Sequence, residues 1–387
     1  MIKIQTLNKI AKCGLDNFDA KYEVSDTVEN PDGIILRSFK MHDMTVGDNL
    51  KAVARAGAGT NNIPVEEYAK KGIVVFNTPG ANANAVKELA LAGLFLASRK
   101  ITNAIDWTKT LKGNGDAVGS MVEKGKSAFA GPEIKGKTLG VIGLGAIGVL
   151  VANAAEALGM KVIGYDPFLS VEAAWSIDSR IKKSDDINKV FAVSDYVTLH
   201  LPLNDNTRGM VNADLLENAN DGIRILNFAR GELVDDSALI PALESGKVAA
   251  YVTDFPSDAV IGVENVVAIP HLGASTPESE DNCAQMAGAQ LVDYLENGNI
   301  KNSVNYPNCQ MPRTGNQRIT VAHLNQQSML TNISSIISNH GINIENMLNK
   351  SKKDYAYTIL DITGDIPDSI VEEISKIDGV LKVRVLK

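Results

Sequence analysis

The chain has 387 residues, 44% of them hydrophobic and 22% charged, with a formal net charge of −8. That length exceeds one ordinary core and predicts two or three domains. The acidic balance argues against the broad basic face of a nucleic-acid binder, though a few converging arginines could still grip a small anion. No apolar run approaches the ~18 residues of a membrane span. The opening residues lack a secretory leader pattern. Cys13, Cys283 and Cys309 have no metal spacing and read as reduced thiols of a cytoplasmic protein, so no metal site is expected.

In chain order, a strand-like segment opens the sequence, and buried strands are predicted at 33–37, 51–55 and 72–76, the first two ending at an arginine. A long Ala/Leu-rich helix follows over 84–100, then a second helix around Trp107 and a glycine-rich loop over 113–136. A new series of strands alternating with helices begins at 137–142 and continues through 161–165, 196–199, 224–226, 249–253 and 266–269. A helix is predicted over 278–297, and the polar, proline-containing stretch 302–316 reads as a linker. Beyond it come a strand from Arg318, a helix over 329–340, two strands flanking 349–354, a helix over 368–377 and a last strand from Val380. That order, βαββαβ, is ferredoxin-like. The expected class is therefore α/β, with two Rossmann-like, doubly wound parallel-sheet domains and a small C-terminal module.

Gly143, Gly145 and Gly148, with Ala146 and Ile147 between the last two, form a G-x-G-x-x-G turn that follows an apolar strand and opens an Ala-rich helix. The glycines allow a tight turn and close approach of a pyrophosphate to the helix N-terminus. Asp166 ends the next strand, where its carboxylate can accept both adenosine ribose hydroxyls and would repel a 2′-phosphate. NAD is expected rather than NADP.

Of the five histidines, His271 stands just past the last predicted strand of this series, where the carboxyl ends of a parallel sheet face the ligand crevice. Imidazole titrates in the range required of a base that removes a hydroxyl proton. His42 and His340 read as solvated, His200 as structural or at the cofactor rim, and His323 as part of the terminal module. Arg230 also follows a strand end and can hold a carboxylate while polarising a developing carbonyl. Asp254, at the next strand end, could accept from a nicotinamide amide.

Together these blocks, with Asn227-x-x-Arg230-Gly231 and Pro270-His271-x-Gly273-x-Ser275-Thr276, resemble the D-isomer-specific 2-hydroxyacid dehydrogenases over roughly residues 30–310. The resemblance implies His271 as acid/base, Arg230 as the substrate arginine, and Phe228, Ala229 and Gly273 as further cofactor contacts. It implies a discontinuous substrate domain, 1–81 plus 274–314, around a cofactor domain, 82–273. The family's relay glutamate has its counterpart in Asp258, one methylene shorter. Members acting on D-3-phosphoglycerate bind it at positions matching Arg37, Ser38, Arg55, Ala56, Gly57 and Asn82, which makes that acid the expected substrate, and Lys87 adds charge nearby. Residues 315–387 resemble an ACT effector module. In its serine-sensing version His323, Asn325 and Asn343 would hold L-serine, although Gln326-Gln327-Ser328 departs from the usual turn. A homodimer through the 84–111 helices, linked into a homotetramer by the terminal modules, is the implied assembly. The rival expectations are a glyoxylate or hydroxypyruvate reductase on the same fold, and a non-enzymatic NAD-sensing scaffold.

Overall fold

The computed structural model describes residues 1–314 and 317–386. Positions 315 and 316, where the expected linker meets the expected terminal module, and residue 387 lie outside the described residues. The chain divides into two compact units, Met1–Ala81 with Pro277–Lys387, and Asn82–Thr276.

The first unit begins with β1 (Ile2–Leu7), β2 (Tyr22–Ser25), β3 (Gly33–Leu36), β4 (Ala52–Arg55) and β5 (Val74–Phe76), all parallel and ordered β2-β1-β3-β4-β5. β3 is buried along its whole length, as a strand covered on both faces must be. On one face lies the helix Pro277–Asn297, whose Ala284, Ala287, Leu291 and Tyr294 meet Ile4, Ile35, Ala54 and Phe76; the 3–4 residue spacing is an apolar helical stripe. On the other face Ile34, Leu36, Val53 and Val75 pack with Tyr68 of the helix Val65–Lys70.

The second unit is built on β6 (Thr138–Ile142), β7 (Lys161–Tyr165), β8 (Lys182–Ser184), β9 (Tyr196–Leu199), β10 (Ile223–Asn227), β11 (Val248–Thr253) and β12 (Val266–Ala268). They form one parallel sheet, β12-β11-β10-β9-β6-β7-β8. Strand order reverses between β6 and β9, the switch point at which such sheets bind ligands. The expected loop over 113–136 contains a helix instead, Val118–Gly125. Packing explains the miss: Gly125 lies so close to Trp107 that a Cβ there would overlap the indole, and Trp107 also packs on Phe129 at 5.3 Å between centroids. The glycine that weakens helix propensity is the one that admits the ring.

The chain ends in β13 (Gln317–Leu324), β14 (Ile344–Lys352), β15 (Tyr355–Ile362) and β16 (Val380–Leu386), an antiparallel sheet ordered β14-β15-β13-β16 with two helices, Met329–Asn339 and Asp368–Ser375. This is the expected βαββαβ topology. The two middle strands run further than expected: β14 continues through Asn349 to Lys352, and the chain reverses at Lys353-Asp354, with Lys353 left-handed at φ 56°. Such a two-residue turn suits a twisted hairpin. Alternation gives the sheet two buried faces. Ile319, Val321, Leu360 and Ile362 meet the two helices, whereas Ala322, Tyr357 and Ile359 join the core of the first parallel sheet.

The stretch expected as a linker is sewn into this unit. Asn305 completes the edge of β5, accepting from the Val75 N–H at 2.9 Å and donating to Ile73 O at 2.9 Å, and the Tyr306 hydroxyl donates to Ala69 O at 2.8 Å. Arg318 anchors the terminal sheet. Its guanidinium forks onto Asp361 at 2.6 and 3.0 Å, both side chains wholly buried, and also donates to the carbonyls of Asn297, Met311 and Pro312. Burial alone would raise the Asp361 carboxyl; the Arg318 fork outweighs it and holds the group below the usual range.

Asp361→Asn leaves that guanidinium buried without its counter-charge. It should lower stability by about 3–5 kcal/mol, whereas the apolar pair Arg318→Met with Asp361→Leu should recover much of the loss. Urea unfolding followed by far-UV dichroism checks both.

Candidate active site

All the groups expected to react belong to the second unit, at the carboxyl ends of its strands. Asn227 closes β10, fully buried. Its amide donates to Arg230 O at 2.8 Å and to the Tyr251 hydroxyl at 3.2 Å, and its Oδ1 accepts the Ala229 N–H at 3.2 Å. That clamp sets the turn from which Arg230 extends. The Arg230 guanidinium lies over the Phe255 ring, 5.4 Å from its centroid, and donates to Ala229 O at 2.6 Å. The His271 ring packs against the same Phe255, 4.2 Å between centroids. A cationic fork and an imidazole thus share one aromatic platform.

Asp254, buried at the end of β11, accepts the Gly273 N–H through Oδ2 at 3.2 Å and so ties down the loop that carries His271. Burial raises its carboxyl, while the nearby His271 favours the charged form. Its Oδ1 is buried with no hydrogen-bond partner among the described residues, an orphan acceptor of the kind that a bound amide would satisfy. Asp258 is exposed, and among the described residues neither it nor any other carboxylate lies within ion-pair distance of the His271 ring. The carboxylate that feels His271 is Asp254.

The nucleotide turn has the shape its glycines predict. Gly143 sits at φ 93°, and a Cβ there would lie 2.6 Å from His200 O; a Cβ on Gly148 would overlap the Gly143 carbonyl. Around Gly145, by contrast, nothing lies within 4 Å of where a Cβ would point. Gly145 is the N-cap of the helix Ala146–Ala157, with no side chain capping it, so the N–H groups of Ala146, Ile147 and Gly148 open this helix without intrahelical acceptors. Such a cradle fits a dinucleotide pyrophosphate. Asp166 is fixed by the N–H groups of Leu144 and Phe168, each at 2.8 Å. His200 is tied to Thr198 Oγ1 at 2.9 Å, and burial pushes it down to about 4, a neutral structural imidazole. Phe228 turns its ring into the core against Gly93, and both backbone groups of Ala229 already have partners in Asn227 and Arg230. Among the described residues no cluster of His, Cys, Asp and Glu could hold a metal ion, and no helix is long and apolar enough to cross a membrane.

The expected substrate residues of the first unit gather at the ends of β3 and β4. Arg55 Nε donates to Arg37 O at 3.0 Å, while the Arg37 guanidinium pairs with Glu280 at 2.7 Å. The Ser38 N–H goes to Asn8 Oδ1 at 3.0 Å, Ala56 N–H to Leu36 O at 2.7 Å and Gly57 N–H to Arg55 O at 2.9 Å. Those three donors are therefore already engaged within the chain. Asn82 stands at the N-cap of the helix Ala83–Ser98 in the other unit, with Lys87 bonded to Asn84 at 2.6 Å.

In the terminal sheet His323 is buried, with both ring nitrogens engaged, to Leu324 O at 2.8 Å and to Thr358 Oγ1 at 2.9 Å. Burial lowers its pKa; it behaves as a satisfied core histidine rather than a group open to an effector. Asn325 follows β13 and donates to Lys353 O at 3.1 Å, whereas Asn343 precedes β14. Strand register puts them at opposite ends of the sheet, about 25 Å apart at ~3.3 Å per residue. One chain cannot hold one small amino acid with both.

Phe255, Asn227 and Tyr251 carry much of the site's geometry; the blocks around Asn227 and Asp254-Phe255 stand out in the sequence, whereas Tyr251 does not. The available signal was position, since all three lie at or beside strand ends.

Residues 91–273 match the model of the D-isomer specific 2-hydroxyacid dehydrogenase NAD-binding domain. The chain is 34% identical over 321 residues to a D-3-phosphoglycerate dehydrogenase of Methanocaldococcus jannaschii, covering 81% of this chain and 59% of that protein. It thus spans little more than half the length of these curated phosphoglycerate dehydrogenases. A hydroxypyruvate reductase of Thermotoga maritima is 38% identical over 287 residues, 71% of this chain and 87% of that one. Among solved structures, an NAD⁺-bound 3-phosphoglycerate dehydrogenase of Entamoeba histolytica superposes with a TM-score of 0.60 at 28% identity, covering 78% of this chain and 98% of that chain. With the open glycine turn and Asp166, these matches assign NAD as the cofactor. By these matches the chain belongs to the D-isomer-specific 2-hydroxyacid dehydrogenase family.

Proposed function

We propose that the chain oxidises D-3-phosphoglycerate to 3-phosphohydroxypyruvate with NAD, the reaction that opens L-serine synthesis. The observation that carries the reading is the shared Phe255 platform, which holds Arg230 and His271 on one side of the NAD-binding sheet. Arg230 binds the substrate carboxylate and stabilises the carbonyl as it forms. A neutral His271 takes the hydroxyl proton on a ring nitrogen, and Asp254 favours the resulting imidazolium. Bound NAD supplies the hydride acceptor. Arg55, at the end of β4, supplies positive charge for the phosphate, with Arg37 joining it on release from Glu280.

Reduction of an unphosphorylated 2-keto acid is the second reading, favoured by the Thermotoga maritima relative. The terminal sheet fits an ACT-type effector module by topology. Serine sensing through Asn325 and Asn343 would require two chains to meet, consistent with a homodimer or homotetramer.

Arg230→Gln should lower kcat with 3-phosphoglycerate by about 10²–10³, and His271→Gln by about 10²–10⁴, both measured by NADH absorbance. Arg55→Gln should raise KM for 3-phosphoglycerate and leave D-glycerate turnover nearly unchanged; an equal loss on both acids would favour the unphosphorylated reading.

The two aspartates are separated by pH profiles. Removing a negative neighbour disfavours the imidazolium, so in Asp254→Asn the low-pH limb of kcat/KM should move to lower pH. Asp258→Asn should leave that limb in place. A shift in Asp258→Asn alone would return the relay role to Asp258.

A further inference from the structure

We propose that the cavity between β14 and the segments around 77–79 and 302–308 is a second anion site, built for a small phosphate-type dianion. The cavity has a volume of about 500 Å³, and Lys350 and Lys352 line it with Asn77, Asn302 and Asn308. No carboxylate is among its lining residues, although the chain as a whole carries a net charge of −8. Two ammonium groups without an acidic partner among the described residues are unusual on so acidic a surface, where neighbouring carboxylates ordinarily pair such lysines.

The donors face the cavity with capacity to spare. Lys352 Nζ donates to Ser303 O at 3.0 Å and Val304 O at 3.1 Å, which leaves the third ammonium proton for a ligand. Asn308 uses its Oδ1 to accept the Asn302 N–H at 2.9 Å, so its amide hydrogens remain available as donors. Lys350 is exposed at its tip and contributes a full charge. Several N–H groups converging from three segments match the acceptor-only oxygens of a phosphate. Desolvation of the Lys352 ammonium, with Lys353 beside it, holds that group below the ordinary lysine range; a bound dianion would relieve both effects.

The cavity also joins parts of the first unit that are distant in sequence. Asn77 and Pro79 follow β5, and Pro79 lies three residues before Asn82, where the second unit begins. Lys350 and Lys352 belong to the terminal sheet. An anion held between them ties the terminal sheet to the segment that leads into the second unit.

The test is calorimetric titration of inorganic phosphate into the full chain at constant ionic strength, with succinate as a second probe. Lys350→Gln should weaken saturable phosphate binding about tenfold or more, with kcat and KM unchanged, and Lys350→Arg should restore it, which a folding defect would not allow. The same component should persist in Arg55→Gln. Phosphate binding that vanishes in Arg55→Gln and is indifferent to Lys350→Gln would put every bound ion at the substrate residues and overturn the proposal. So would an isotherm with no saturable phosphate component up to about 10 mM, which is weaker than roughly −3 kcal/mol. Succinate binding as tightly as phosphate would overturn the phosphate class.

Discussion

The end of one long helix governs the first unit. The helix Pro277–Asn297 leaves its last carbonyls without intrahelical donors and carries the partial negative charge of an aligned helix. Residues from beyond the helix answer both demands. Arg384 donates to Tyr294 O at 3.1 Å and Leu295 O at 2.8 Å, Arg313 to Glu296 O at 3.4 Å, Arg318 to Asn297 O at 2.8 Å and the Tyr357 hydroxyl to Gly298 O at 2.9 Å. Arg384 also stacks on Tyr294, 4.4 Å from the ring centroid. The terminal sheet is therefore the cap of this helix. Its cationic face would lose its partners if the sheet swung free, and the helix would lose its termination. The same helix begins six residues after His271 and rises about 31 Å along its axis. Whatever displaces the terminal sheet therefore acts on a rod covalently next to the loop of the proposed base.

In the second unit the constraint is different. A parallel sheet delivers its side chains at one edge only, so reactive groups must hang from successive strand ends and be fixed there by something other than the sheet. Asn227 fixes the turn of Arg230 through three hydrogen bonds; Asp254 fixes the loop of His271 through Gly273; Phe255 keeps the two from collapsing onto each other. Removing any one of these leaves the reactive residues present and their geometry slack, which is the usual way a site fails without losing a catalytic group.

The repeating alternation of apolar runs and helical patterns made both parallel sheets legible, because a strand buried on both faces is largely apolar, as β3 and β5 are. The glycine turn, Asp166, Arg230 and His271 were legible for a related reason: each follows a strand end, although β12, before His271, is a half-exposed edge strand. The helix at Val118–Gly125 was hidden because its support, Trp107, comes from a different segment. Residues 302–314 were misread as loose because their prolines and asparagines look like loop composition, whereas Asn305 spends its amide completing the edge of β5. The roles of Arg318 and Arg384 were not legible, since nothing local in the sequence shows that helix carbonyls wait for them. His323 drew attention as an effector ligand because a buried, fully bonded imidazole and an open one have the same letter in a sequence.

The choice between Asp254 and Asp258 follows from how the chain leaves β11. Phe255 follows the strand-end Asp254 directly. The chain bends as it leaves β11 at Thr253, and Asp254 bonds to the Gly273 N–H while Phe255 packs against Arg230 and His271. The Phe255 ring lies against the imidazole, and Asp258, three residues further on, is exposed. A charge screened by water acts weakly at such range, whereas one in a desolvated pocket acts strongly. Of the two carboxylates, the buried Asp254 is the one tied by a hydrogen bond to the loop that carries His271.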